Sequence, residues 1–303
     1  MDKEHNNQKF IKHLRSGGLF YALCRGIKYF LFLLKKPMCK SKKENLATQV
    51  EKRDSLISNI VMHKDIKMIY SNCGISIFWK EKEITVSPGL NLAINTLGMW
   101  TDSSKAKWQI LLQGRDFFDF KVVYDNLPLS QLWHVKLSNN NEITWRIRIH
   151  VEEWLHIDEF RLLALISSYY KIWISDYSYA DFPRLDNYWH DVYIKNQQAS
   201  LVGARFSRGD NCLPSFTIES HESGLLPLVQ NPPLGNHSHI VGLRIKDTKN
   251  KNNFEPGIYP LFDGKVNIIE NENILDSKIE VMRQHYLADV VHKDGKNNKG
   301  VKK

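Results

Sequence analysis

Residues 108–173 read WQILLQGRDFFDFKVVYDNLPLSQLWHVKLSNNNEITWRIRIHVEEWLHIDEFRLLALISSYYKIW. Apolar and polar residues alternate through several consecutive segments, the period-two signature of half-buried strands. The spacing predicts strands at 107–112, 117–124, 132–137 and 143–151, with Leu127-Pro128 and the Ser-Asn-Asn-Asn run at 138–141 as reversals. In the fourth strand Trp145, Ile147 and Ile149 fall on one face, while Arg146, Arg148 and His150 fall on the other. One face is therefore expected in a core, and the other meets solvent or a polar ligand. Residues 156–168 and 170–175 extend the ladder; LLALI also admits a buried helical turn, but strand-type neighbours on both sides favour β.

Outward from this stretch the pattern persists. GISIFWKEKEITVSPG, residues 74–89, reads as a hairpin ending on a Pro-Gly turn before LNLAIN. Downstream, strands are expected at 200–207, 214–220, 225–230, 239–245, 257–262 and 265–269, the last two joined by Asp263-Gly264 as a tight hairpin turn. Ile279, Met282, Tyr286 and Val290 then mark a short closing helix ahead of a lysine-rich tail. So many short strands exceed a seven-stranded sandwich. The expected fold is all-β, a large two-sheet antiparallel supersandwich with an N-terminal amphipathic helix and a short C-terminal helix. Its expected divisions are 1–47, 48–275 and 276–303.

Charge is distributed unevenly. The formal net charge is +9, yet residues 1–53 alone carry thirteen Lys and Arg against four Asp and Glu, and residues 293–303 add five Lys against one Asp. The intervening body is therefore mildly acidic, at −4, which disfavours a phosphate-tracking groove and hence nucleic acid as a partner. Within residues 9–36, Phe20, Leu23, Ile27, Phe30, Leu31 and Leu34 form a helical apolar stripe with Lys28 and other basic residues beside it. Such a helix suits an anionic membrane surface or a partner protein, and the body itself is a third docking place. Its longest apolar run is too short to span a bilayer, and it lacks the cleavage pattern of a signal peptide. A cytoplasmic location follows, with peripheral membrane association as the alternative. Four scattered cysteines without a CxxC pair point to a reducing compartment and leave only Cys73 with Cys212 as a conceivable disulfide.

No motif announces a reaction. His237 and His239 have the spacing of two strand-borne ligands but lack a third, so no metal is expected, and no cofactor motif is present. Glu152, Glu153, Asp158 and Glu159 could supply a catalytic carboxylate, although a solvated rim is the simpler reading. Serines without a GxSxG context disfavour a serine hydrolase. Residues 176–191, DYSYADFPRLDNYWHD, break the alternation with regularly placed aspartates and several aromatics, and form the longest candidate functional loop. Guanidinium groups can clamp sugar hydroxyls or carboxylates and indoles can stack on pyranose rings. On that basis Arg146, Arg148, His150, Trp154, Arg161, Trp189 and His190 are the candidate carbohydrate-binding residues, with Trp133 and Trp173 weighed between ligand and core.

The layout over residues 56–270, with the GISIFW hairpin, the long aromatic-rich central strands and the terminal GIYPLFDGKVNI hairpin, resembles the supersandwich of the galactose-mutarotase-like superfamily. That scaffold recognises carbohydrate and also occurs as an accessory domain in polysaccharide-active and polysaccharide-synthesising proteins. Aldose epimerases of the superfamily use a histidine acid and a glutamate base; no His or Glu here aligns with their motifs, so the resemblance implies sugar recognition and carries over no catalytic residue. The expectation is a non-catalytic carbohydrate-binding or polysaccharide-biosynthesis-associated protein, tethered to a membrane surface or partner by residues 9–36. A sugar-active epimerase, lyase or hydrolase on the same fold, and a protein-interaction module, are the alternatives.

Overall fold

The computed structural model describes residues 59–192, 194, 198–206, 212–222, 225–233, 237–245 and 252–297, with side chains described as far as residue 284. The expected N-terminal helix and the part of the expected C-terminal tail beyond residue 297 lie outside these residues. In chain order the first strands are β1 (Ile60–His63), β2 (Ile66–Ser71), β3 (Gly74–Trp79), β4 (Lys82–Glu83), β5 (Thr85–Thr96) and β6 (Met99–Asp102). There follow β7 (Lys107–Gln113), β8 (Phe117–Val123), β9 (Leu129–Leu137), β10 (Glu142–Val151), β11 (Leu155–His156) and β12 (Glu159–Ser167). Next come β13 (Ile172–Ser175), β14 (Tyr179–Asp181), β15 (His190–Asp191), β16 (Leu201–Ala204) and β17 (Ser215–Ser220). The chain continues through β18 (Leu226–Asn231), β19 (Ser238–Ile245), β20 (Asn253–Phe254) and β21 (Gly257–Ile269) to the helix α1 (Glu272–Asn297). At 26 residues this helix is longer than its apolar spacing suggested. No described helix is long and apolar enough to cross a membrane.

The strands form two large antiparallel sheets. One runs β1-β2-β3-β5-β12-β19-β18-β15, with β4 on β3 and β6 on β5; the other runs β14-β13-β16-β17-β21-β10-β9-β8-β7. Their facing sides share one core. Trp145, Ile147 and Ile149 of β10 are buried in it with Ile75 and Ile77 of β3 and Leu162, Ala164 and Ile166 of β12. An aromatic file runs through it from Tyr70 through Phe120, Trp108, Trp133 and Trp145 to Phe262, successive ring centroids lying 4.8 to 5.4 Å apart. These spacings suit offset and edge-on ring contact. The Trp133 indole donates to Gln131 and the Trp108 indole to the Ser103 carbonyl, each at 2.7 Å, whereas the Trp145 indole N–H is buried without a hydrogen-bond partner.

Two turn readings are corrected. Asp263 and Gly264 lie in the middle of β21, a continuous 13-residue strand, where they pair with Arg146 and Trp145 of β10. Gly264 is there for close packing: an added Cβ would stand 2.3 Å from the Glu219 carbonyl and 2.4 Å from the Phe262 ring. Pro88-Gly89 likewise lies within β5 rather than ending it, with Gly89 at φ +77 and pressed against the Ile75 carbonyl. The LLALI run is strand, as its neighbours indicated. Cys73 and Cys212 are both free thiols.

Candidate functional site

The sheet containing β12 is buried on both faces near its centre, which explains why β12 carries an unbroken apolar run. Phe160, Leu162, Ala164 and Ile166 enter the shared core, while Ala93, Leu163, Leu165, Leu228 and Ile240 form a separate cluster on the outer face. Register places these outer residues in rows: Ala93 opposite Arg161 and Arg244, Asn91 opposite Leu163 and Gly242, and Leu165 opposite Ile240 and Gln230. Of these, Asn91, Ala93, Leu163, Leu165, Gln230 and Ile240 floor a pocket of about 670 Å³, within the usual range for ligand sites.

Two short edge strands wall this floor. On one side β6 pairs with β5 and sets Trp100 and Asp102 over the pocket; on the other β15 pairs with β18 and sets Asp191 there beside Trp189. Each wall has the sequence Trp-x-Asp, which puts indole and carboxylate on the same side of an extended chain. Both indoles remain open, Trp100 at 41% and Trp189 at 52% exposure. The carboxylates are held by one oxygen each. Asp102 Oδ1 accepts from the Ser104 backbone N–H at 3.0 Å and from the Asn91 amide at 3.5 Å, while Asp191 Oδ1 accepts from the Trp189 indole at 3.3 Å and from Gln230. Asn91 also binds the backbone N–H and hydroxyl of Ser103, clamping the turn after β6 to the pocket floor.

Charge within the pocket is balanced by a buried ion-pair cluster. Glu159 accepts from Arg161 Nε at 2.7 Å and from Arg244 through Nε and Nη2 at 2.8 and 2.9 Å. Burial opposes the charge on Glu159, but these hydrogen bonds outweigh it and hold its carboxyl below the usual range. The other end of Arg161 lies over Trp100, 3.9 Å from the ring centroid, a cation–π contact. Glu159 is thus a positioning carboxylate rather than part of a solvated rim.

The wall bearing Trp189 is tied down from behind. His239, 3% exposed, stacks on Phe182 at 3.9 Å and places its ring nitrogens 2.7 Å from Asn231 Oδ1 and 3.1 Å from the Tyr170 carbonyl. Asn231 in turn donates to the Pro183 carbonyl. Burial pushes the His239 pKa down to about 4, against the carbonyls of Tyr170 and Ser168. Asp186 accepts the Tyr188 N–H at 2.8 Å and faces His190 at 2.8 Å, contacts that hold its carboxyl below the usual range. At the start of the same stretch Asp176 accepts the N–H groups of Ser200 and Leu201, and burial raises its pKa to about 6.

Of the residues singled out from sequence, Arg161 and Trp189 meet in the pocket, with His190 beside Trp189 on β15. Arg146, Arg148 and His150 stand on the outer face of the other sheet, where Arg146 pairs with Asp263 at 3.1 Å. Trp154 is 58% exposed just before β11 and is not part of the pocket lining. Trp133 and Trp173 are core residues. Trp100, Asp102 and Asp191 were missed. Their repeated Trp-x-Asp pattern is visible in the chain, but the pairing that brings the two copies onto one sheet face is not. Among the described residues, no three His, Cys, Asp or Glu side chains cluster as metal ligands.

No family model matches the chain, and no curated protein matches it. Similar solved structures include a candidate aldose 1-epimerase from Escherichia coli K12, at TM-score 0.45 and 8% identity over 69% of this chain and 97% of that one. Another is an α-N-acetylgalactosaminidase from Bifidobacterium bifidum, at TM-score 0.47 and 8% identity over 70% of this chain and 36% of that one. A third is a heparan sulfate lyase from Pedobacter heparinus, at TM-score 0.40 and 13% identity over 89% of this chain and 42% of that one. This chain therefore spans less than half of the latter two.

Proposed function

We propose that the protein is a carbohydrate-binding supersandwich whose ligand lies in the pocket between β6 and β15. The observation that carries this reading is the pair of open indoles, Trp100 and Trp189, flanking an apolar floor ringed by Asn91, Asp102, Arg161, Asp191 and Gln230. A sugar presents an apolar C–H face and a polar rim of hydroxyls, and such a surface meets both demands. A binding role is favoured over catalysis because Glu159 is locked between two arginines, and Asp102 and Asp191, each with one oxygen left to accept from a hydroxyl, stand on opposite walls rather than facing each other as an acid–base pair. A general acid or base needs a proton to exchange within hydrogen-bond reach of the substrate. The test is a glycan array probed with the full chain, with release of reducing sugar and anomer interconversion followed on every glycan bound. Binding without turnover supports the proposal; turnover would move the protein to the sugar-active enzymes, and no binding to any glycan would remove the carbohydrate reading.

The extension, residues 1–47 in this reading, supplies the tether through its basic apolar stripe at residues 9–36, and the cytoplasm is the compartment. Sedimentation with anionic vesicles, comparing the full chain with a Phe30→Asp/Leu34→Asp variant, checks the membrane arm. Equal sedimentation of the two would leave a protein partner as the tether.

A further inference from the structure

The two Trp-x-Asp walls have a consequence for the size and charge of the ligand. Trp100-Thr101-Asp102 lies on β6 and Trp189-His190-Asp191 enters β15, at opposite limits of one pocket. From β6 the path across the sheet passes through β5, β12, β19 and β18 before reaching β15. At about 4.8 Å per step the walls are roughly 24 Å apart along the sheet. Between them lies the aliphatic floor of Ala93, Leu163, Leu165 and Ile240. The same recognition element is thus presented twice, once at each end of a continuous apolar trough.

The chemistry at the two ends is alike. Each offers a partly exposed indole, that of Trp100 carrying Arg161 on one face, and a carboxylate whose Oδ1 is committed to its own support; Asp102 Oδ2 has only Lys105 Nζ at 3.9 Å, and Asp191 Oδ2 has no hydrogen-bond partner among the described residues. A carboxylate oxygen in that state accepts from hydroxyls and repels an anionic group. Arg161 and Arg244 share the single Glu159 carboxylate, Arg244 also interacts with the charge on Asp191, and Lys105 stands by Asp102, so the pocket carries little net charge and favours a ligand without one.

We propose, on the basis of the carbohydrate reading above, that the two Trp-x-Asp elements are twin subsites for one uncharged oligosaccharide that bridges the pocket. One ring occupies each wall and the intervening residues lie over the apolar floor. A monosaccharide fills one subsite only, whereas a chain long enough to reach both makes its second contact intramolecularly and gains by effective concentration.

The test uses the full chain on an array carrying chain-length ladders of neutral, amine-bearing, uronate-containing and sulfated oligosaccharides, followed by calorimetry on the ladder that binds. The expected result is preference for a neutral ladder, with affinity rising by roughly a hundredfold once the chain bridges both walls. Trp100→Ala and Trp189→Ala should each return the long oligosaccharide to about the affinity of the short one and lower the short chain's stoichiometry from two to one, and the double variant should lose short-chain binding as well. Circular dichroism confirms that both variants are folded. If affinity is already complete at the monosaccharide, or if one substitution abolishes binding at every length and the other does nothing, the twin-subsite proposal is overturned while the carbohydrate reading stands. A preferred uronate, sulfated or amine-bearing ladder overturns the uncharged ligand. Absence of binding on every ladder removes the underlying reading itself.

Discussion

Replacing Glu159 with glutamine removes the one carboxylate that pins both Arg161 and Arg244. Three charge-assisted hydrogen bonds at 2.7 to 2.9 Å converge on it, and the residue is 9% exposed. Removing one partner of a fully buried pair costs about 3–5 kcal/mol, since the other charge is left uncompensated. Here the arginine side chains retain 21% and 29% exposure and recover some hydration, so the expected loss is about 2–3 kcal/mol. For a domain of this size that lowers Tm by roughly 5–10 °C. The sign with pH is definite. A carboxyl held below its unfolded pKa stabilises the fold above that value, and the contribution is lost as pH falls through the lower, folded one. Urea unfolding of the wild type and Glu159→Gln, repeated from neutral to acidic pH, measures both effects: the gap between them should be widest at neutral pH and close on acidification. A difference below about 0.5 kcal/mol at neutral pH, the range of an ordinary exposed ion pair, would refute the claim that this cluster organises the pocket.

Gly264→Ala should destabilise by about 2–3 kcal/mol, because its Cβ meets the Glu219 backbone carbonyl and the Phe262 ring; unchanged unfolding in urea would contradict the packing role given to this glycine. His239 binds its proton less tightly in the fold than in the unfolded chain, so its contribution is full above about pH 6.5 and falls by about 3 kcal/mol as pH drops to about 4. Asp176 acts in the opposite sense, its raised pKa of about 6 giving stability that is full below about pH 4 and lost as pH rises through 6. The two effects nearly cancel between pH 4 and 6, so Asp176→Asn should steepen the acid loss of stability and His239→Gln should reverse it over that interval; parallel pH profiles for all three proteins would show that neither group titrates as its burial requires.

Much of the sandwich is legible in the chain because the strands of one sheet obey a local rule. In β8, β9 and β10 one face is core and the other is wet, so alternation alone assigns strand, register and facing, as Trp145 and Arg146 show. β12 lacks that contrast. Both of its faces are covered, and the second cover, which is the pocket, arises only when β6 and β15 arrive from positions far away in sequence. Asp263-Gly264 misleads for a related reason: the dipeptide has turn chemistry, but the pairing of β21 with β10 and β17 over its whole length decides its conformation. Glu159 shows the same limit for charge. Nothing within the EEWLHIDEF segment indicates that Arg244, on a strand much later in the chain, completes the cluster around it. The candidates Arg161 and Trp189 came from residue chemistry alone, and their meeting in one pocket is a product of sheet order.

The central claim is that Trp100 and Trp189 hold a glycan over the floor of β12 and β19. Its most direct test is isothermal titration of the strongest array glycan into the wild type and into the folded double variant Trp100→Ala/Trp189→Ala. The account predicts saturable one-to-one binding by the wild type and at least about a hundredfold weaker binding by the double variant, the loss expected when two aromatic anchors are truncated. Equal affinity of the two proteins would place the glycan elsewhere and contradict the account.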